Sequence, residues 1–241
     1  MNTMIFILVF AVCCLIQGIF SFGGGMIIVP ALSPFFDLKS FIIPLISLFN
    51  IFTNSFTYIR CHKTNTDECV NALNYKPIII FGVIGNLVGS TVINTFLNNN
   101  QIKLILGLVI LINVLFSSKL PFTPFGSKQF IAGFTSGLLG GSVSLGNLGI
   151  VLTYGKNKPN ELKSFVASFC LFQNIITFIV YLLYKRYSFK VICYAAISMI
   201  MCALFQNLGM KLSERFSVSQ FSLLLKCFLC IIGFYLLTAS L

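Results

Sequence analysis

Apolar residues in this chain come in long blocks divided by short polar connections. The first block runs from Met4 to Phe20, most of the length a helix needs to cross a bilayer. Ser21-Phe22-Gly23-Gly24-Gly25 then interrupts it. The apolar stretch 26–36 is too short to span at about 1.5 Å per residue, so it reads as a half-helix or a re-entrant piece. The pattern predicts further helices over residues 41–59, 77–96, 102–116, 162–184, 189–210 and 219–241. Another starts near Lys128 and is interrupted around 140–149. Ser40 is placed to cap the helix from Phe41, and Pro77 suits a first helical turn. Residues 60–76 read as a polar loop, and Pro121 and Pro124 mark a stop between two groups of helices.

Three glycines in a row are costly in a helix, at about 1 kcal/mol each against alanine. A broken backbone in lipid leaves polar groups unpaired, so it survives only inside protein or beside a watery cavity. Close packing through small residues is the plain alternative. It explains one glycine better than three followed by an apolar stretch and Pro30. Residues 133–152 echo the break as GFTSGLLGGSVSLGNLGIVL. Gly18 corresponds to Gly137, and Leu38-Lys39-Ser40-Phe41 recurs as Leu162-Lys163-Ser164-Phe165. Phe49-Asn50 answers Phe172-Gln173, Gly89 answers Gly209, and Phe96 answers Phe216. All fall in order at one nearly constant offset of about 120 positions, which indicates an internal duplication. The halves are residues 1–118 and 127–241, joined by a linker over 119–126.

Composition sets the solvent. The 241 residues are 57% hydrophobic and 9% charged, with a mean hydropathy of +0.97. A soluble domain carries about 25% charged residues. The expectation is an all-α integral membrane protein of two homologous four-segment repeats, each with a glycine-broken first helix. No basic residue precedes the first apolar run, so that run reads as a retained helix and not a signal peptide. The net charge of +11 is spread singly through connections, which argues against a nucleic-acid partner. Most of the nine cysteines lie in apolar runs and read as small buried residues. Cys227-x-x-Cys230 within a membrane helix lacks the partners of a zinc site, and Cys61, His62 and Cys69 share a polar loop. No cofactor or metal is expected.

At this point the chain resembles the sulfite exporter TauE/SafE family of membrane transporters. GIFSFGGGMIIVPAL from Gly18, GLLGGSVSLGNLGIVL from Gly137 and KPNELKSFVASF from Lys158 carry the likeness, with the terminal NLGMKLSERFSVSQFSLLLKCFLCIIGFYLL. The second run departs from the family's pattern at Asn147-Leu148-Gly149, where a Gly-Pro-Pro-like segment often stands. The resemblance implies a polytopic permease for small, sulfur-containing or organic anions in the cell membrane. It does not fix the substrate.

A small oxyanion leaving water needs donors and positive partial charge, and helix starts supply both. Gly23, Gly24 and Gly25 allow close backbone approach before the short helix. Gly140, Gly141, Ser142, Ser144, Gly146 and Asn147 offer the same in the second half. Asn50 and Asn54 share one helix face, and Gln173 and Thr177 match them, with Asn174 beside Gln173. Polar residues in lipid cost energy and face the bundle interior. Interhelical hydrogen bonding is the competing explanation. The expected substrate-binding set is therefore Gly23, Gly24, Gly25, Asn50, Asn54, Ser142, Ser144, Asn147, Gln173 and Asn174. Gln17, Ser21 and Asn86 are weaker candidates. The partners are a small anion and the bilayer, and a homo-oligomer is left open.

The five acids Asp37, Asp67, Glu68, Glu161 and Glu214 all fall in connections or at helix ends, so no mid-membrane carboxylate serves a proton relay. An intramembrane enzyme is disfavoured. Ser142-Val143-Ser144-Leu145-Gly146 lacks the first glycine of a nucleophile elbow, and no span holds a histidine base. A metal permease or channel and a structural membrane protein are the other rivals. With eight crossings the basic residues divide almost evenly between the two sides, so charge bias leaves orientation open. If residues 4–36 form one re-entrant hairpin, each half has three true spans and the halves are inverted.

Overall fold

The computed structural model of the protein describes residues 2–20, 24–64, 76–116, 128–143, 146, 159–213, 227, 230–231 and 233–239. Most of these are helical, with no strand among the described residues. In order they are α1 (Asn2–Phe20), α2 (Gly24–Leu32), α3, α4 (Lys76–Thr95), α5 (Asn99–Phe116), α6 (Lys128–Val143), α7 (Pro159–Leu183) and α8 (Phe189–Ser213). α3 opens with a π-helical turn, Leu38–Ile42, and continues as an α-helix over Ile43–Thr64. Residues 233–238 are helical near the C-terminus. α3, α4, α7 and α8 are long and apolar enough to cross a membrane, and α1 and α6 carry shorter apolar stretches.

Local chemistry sets the helix ends. Pro77 and Pro159 stand in first turns, where a missing N–H costs nothing. At α5, Asn98 Oδ1 accepts from the Gln101 N–H and Gln101 Oε1 accepts from the Asn98 N–H, each at 2.9 Å. Asp37, not Ser40, caps α3. Its Oδ1 accepts from the backbone N–H and the hydroxyl of Ser40, both at 2.7 Å. A carboxylate is the stronger acceptor beside a positive helix end, and Ser40, three residues inside, becomes the donor. Asp37 Oδ2 also accepts from Asn99 Nδ2 at 2.7 Å, tying the start of α3 to the start of α5. Partial burial pushes the Asp37 carboxyl up, but the hydrogen bonds from Asn99 and Ser40 outweigh it and hold the group below its ordinary value.

Glycines decide which helices touch. On α4 and α6 the pairs advance together, Ile78 with Gly133, Gly82 with Gly137 and Asn86 with Gly141. A Cβ at Gly137 would fall on the Gly82 carbonyl oxygen, and one at Gly141 on that of Asn86. The two backbones therefore approach as only small residues allow, and the helices run parallel. Gly18 and Gly209 make the same close approach between α1 and α8. α1 is also parallel to α3, through Phe10–Phe49 and Gln17–Thr53. α8 is parallel to α3, through Tyr194–Phe41 near their starts and Gln206–Thr57 near their ends.

The chain turns tightly from α7 into α8, so these two run in opposite directions. Lys185 (φ 53°) ends α7 in the left-handed region, with the Arg186 N–H donating to the Tyr181 carbonyl at 3.0 Å. α1, α3 and α8 thus point one way and α4, α6 and α7 the other. One end of the bundle carries Asp37, Asn99 and Tyr187; the other carries Lys76, Lys128 and Lys211. The hairpin formed by α1 and α2 begins and finishes at the Asp37 end. Phe6 near its start and Phe36 after it both meet Tyr194, and Phe36 stacks on Phe41 at 4.4 Å.

The interruption expected around 140–149 falls after Val143. α6 is unbroken through Gly140, Gly141 and Ser142 to Val143. Gly141 is a contact point for α4, and its helix keeps its own backbone hydrogen bonds. Buried Gly146 lies against Gly140 and the Ser136 carbonyl.

Candidate functional site

Two buried polar links join α4 to α7 and α3 to α8. In the first, Asn86 of α4 is fully buried, and its Nδ2 donates to Thr177 Oγ1 at 3.0 Å and to the Gln173 carbonyl at 3.1 Å, both on α7. Ser90, one turn on, donates at 3.2 Å to Asn86 Oδ1 and to the Gly141 carbonyl. In the second, Gln206 of α8 donates to Thr57 Oγ1 of α3 at 3.0 Å and accepts from the Cys202 thiol. Gln17 of α1 donates to Thr53 of α3 at 2.8 Å. These bonds satisfy groups whose burial unpaired would be costly in lipid, while Gln17 Oε1 has no hydrogen-bond partner among the described residues.

Gln173 is different. Its side chain is 2% exposed, and among the described residues neither Nε2 nor Oε1 has a hydrogen-bond partner. It lies over Gly82 of α4, where a Cβ would stand 2.5 Å from Nε2, beside Phe169. A buried amide without partners costs about 1–3 kcal/mol, so the position calls for a ligand or water. Two N–H donors and one acceptor are on offer there, without net charge. No Asp or Glu lies within the four long apolar spans.

The family model described as Sulfite exporter TauE/SafE matches residues 5–236. The chain belongs to the sulfite exporter TauE/SafE family. That membership, with the apolar helices, makes it a membrane transporter. No curated protein and no solved structure matches it.

In this TauE/SafE chain the expected site residues fare unequally. Gly24 and Gly25 form the first turn of α2, and Gly25 is buried. The helix therefore starts two residues before Met26. Asn50 and Asn54 are buried on α3, which packs along α7. Ser142 is buried in the last turn of α6, where its hydroxyl donates to the Leu139 carbonyl at 3.4 Å. Asn174 donates to the Cys170 carbonyl of its own helix at 2.6 Å, which engages one of its donors locally. Gly23, Ser144 and Asn147 lie outside the described residues.

Gln206 was absent from the expected set. A signal for it exists. It stands as far after Asn86 as Gly209 stands after Gly89, and each carboxamide bonds a threonine of another helix, Thr177 for Asn86 and Thr57 for Gln206. Arg60 was read as a loop residue. α3 continues past it to Thr64, and its guanidinium Nη1 donates to Asn207 Oδ1 on α8.

Proposed function

We propose that this transporter is an alternating-access permease of the plasma or inner membrane that carries small anions, foremost sulfur oxyanions such as sulfite and sulfonates. The observation that carries the reading is Gln173, a buried carboxamide with free donors in a membrane bundle whose long spans hold no acid. An anion exchanges its hydration for protein donors, and neutral donors do this without a competing negative charge. Asn50 and Asn54 of α3, with Gly24 and Gly25 at the start of α2, complete the proposed lining. Helix starts favour anions through the same unpaired N–H groups.

Alternating access is supported by the helix directions. α1 packs on α8 and α6 on α4, while α3 packs on α7. Exchanging residues 1–118 for 127–241 maps the α1–α8 contact onto α6–α4 and the α3–α7 contact onto itself, with helix directions reversed. Inverted halves of this kind rock about a site at their interface. The test is uptake into proteoliposomes across sulfite, thiosulfate, sulfonates and small carboxylates, with and without a pH gradient. Saturable flux of one anion, lost in Gln173→Leu protein that still folds, is the expected result. Flux of metal cations alone would sink the proposal.

A further inference from the structure

The turn between α7 and α8 gathers positive charge where two long apolar spans meet. Lys185, Arg186 and Lys190 fall within six residues at the Asp37 end of the bundle. Lys185 holds the left-handed conformation that glycine adopts without strain, so the tip of the turn carries a charge. Leu183 and Phe189 flank the turn at 77% and 82% exposure, and Tyr184 is exposed between them. Apolar and tyrosine side chains exposed at the end of a span face acyl chains and head groups. The first turn of α8 holds no acid to balance its positive end. Asp37 is the one acid among the described residues at this end, and Ser40 and Asn99 already engage its two oxygens.

Arg186 is half-buried, and its Nε is enclosed with no hydrogen-bond partner among the described residues. A buried N–H on a charged group is costly without an acceptor. We propose that Arg186 binds the phosphate of an anionic phospholipid at this turn, through its Nε–H and the adjoining Nη. A phosphate offers the planar guanidinium two oxygens at once. Lys185 adds attraction from the tip of the turn, and the start of α8 favours the same charge. Lys190 is held over the rings of Phe36 and Phe41 at 5.5 and 5.6 Å, so it contributes field and not contact. A lipid suits the site better than a soluble anion, because Leu183 and Phe189 offer apolar surface to its acyl chains. Tyr187, the next residue, is tied to Ser47 of α3, so a lipid held here is anchored to the central helix pair.

The experiment follows thermal unfolding of the full chain in detergent with added phosphatidylglycerol, phosphatidylcholine or glycerol phosphate. Phosphatidylglycerol should raise the wild-type melting temperature more than phosphatidylcholine does, and glycerol phosphate should leave it unchanged. Arg186→Gln should raise the half-saturating concentration of phosphatidylglycerol about tenfold. Lys185→Gln should raise it about fivefold or less, because that charge attracts without gripping. Arg186→Lys should fall between wild type and Arg186→Gln, because charge remains and the planar fork is lost. An equal shift from glycerol phosphate would make this a site for a soluble oxyanion. No preference for phosphatidylglycerol, or the same half-saturation in wild type and Arg186→Gln, would place the lipid elsewhere. If Arg186 has a partner inside the protein, Arg186→Gln will lower the melting temperature equally in both lipids. Each of these results overturns the proposal.

A second measurement needs no variant. Phenylglyoxal modification of Arg186 in the wild-type protein, read by mass spectrometry, should be slower in nanodiscs containing phosphatidylglycerol than in nanodiscs of phosphatidylcholine alone. Equal rates would overturn the role of Arg186. Neither measurement uses flux, so the lipid site stands or falls apart from the anion-transport reading.

Discussion

The hydroxyls of Ser47 and Tyr187 meet at 2.6 Å. Ser47 lies near the start of α3, and Tyr187 follows the end of α7, so the contact sets these two central helices antiparallel. Burial pushes the Tyr187 phenol well above its ordinary value, and the bond to Ser47 opposes this in part. The phenol is therefore a neutral hydrogen-bonding group. The sidedness of every other described helix follows from this pair and the packing around it.

Sidedness gives the first prediction. Single cysteines replacing exposed Asn100 and Ser188 should react with an impermeant maleimide from one face of the membrane. Cysteines replacing exposed Lys76 and Lys211 should react from the other. The background is a chain whose own accessible thiols have been removed. Labelling of positions 188 and 211 from the same face would contradict the antiparallel arrangement.

The unpartnered carboxamide of Gln173 separates function from stability. Gln173→Leu should weaken anion binding by about 1–3 kcal/mol, the cost of leaving the ligand unmatched. Its melting temperature in detergent should hold or rise, because an unsatisfied buried amide has been removed. Isothermal titration and thermal unfolding on the same preparation give both numbers. A large loss of stability would show that the amide has a structural partner.

The seam between α4 and α6 is a packing device and should behave as one. A Cβ at Gly137 would strike the Gly82 carbonyl, so Gly137→Ala must push the two backbones apart. Overpacking of this kind costs about 1–3 kcal/mol. Ile131→Ala, on an exposed position of the same helix, should cost far less. Denaturant titration of the purified variants checks the ordering, and equal losses would argue against the seam.

The tie between Asp37 and Asn99 makes a pH-dependent contribution. The folded carboxyl sits below its ordinary value, so its stabilisation is present above the unfolded pKa and is lost as pH falls through the folded one. Asp37→Asn should leave the melting temperature less sensitive to acid over that window. Identical acid profiles for the two proteins would remove Asp37 from the account.

Much of this protein is written locally. The lengths of the apolar blocks place α1, α4, α7 and α8 within a few residues at most boundaries, because the bilayer sets a length that each block meets or misses by itself. The likeness to a transporter family was legible for the same reason, in contiguous glycine-rich runs. Other features depended on partners far away in sequence. Gly140-Gly141 reads equally well as a break or as a seam, and Asn86 of α4 lying against Gly141 made it a seam. Residues after Ile59 look like loop because hydropathy falls there, but Arg60 meets Asn207 and α3 continues to Thr64. Charge counts left the direction of the halves open, whereas the meeting of Ser47 with Tyr187 gave α3 and α7 opposite directions. Hydrophobic length is a property of one segment, and a hydrogen bond is a property of two, so only the folded bundle could say which polar groups find partners and that Gln173 does not.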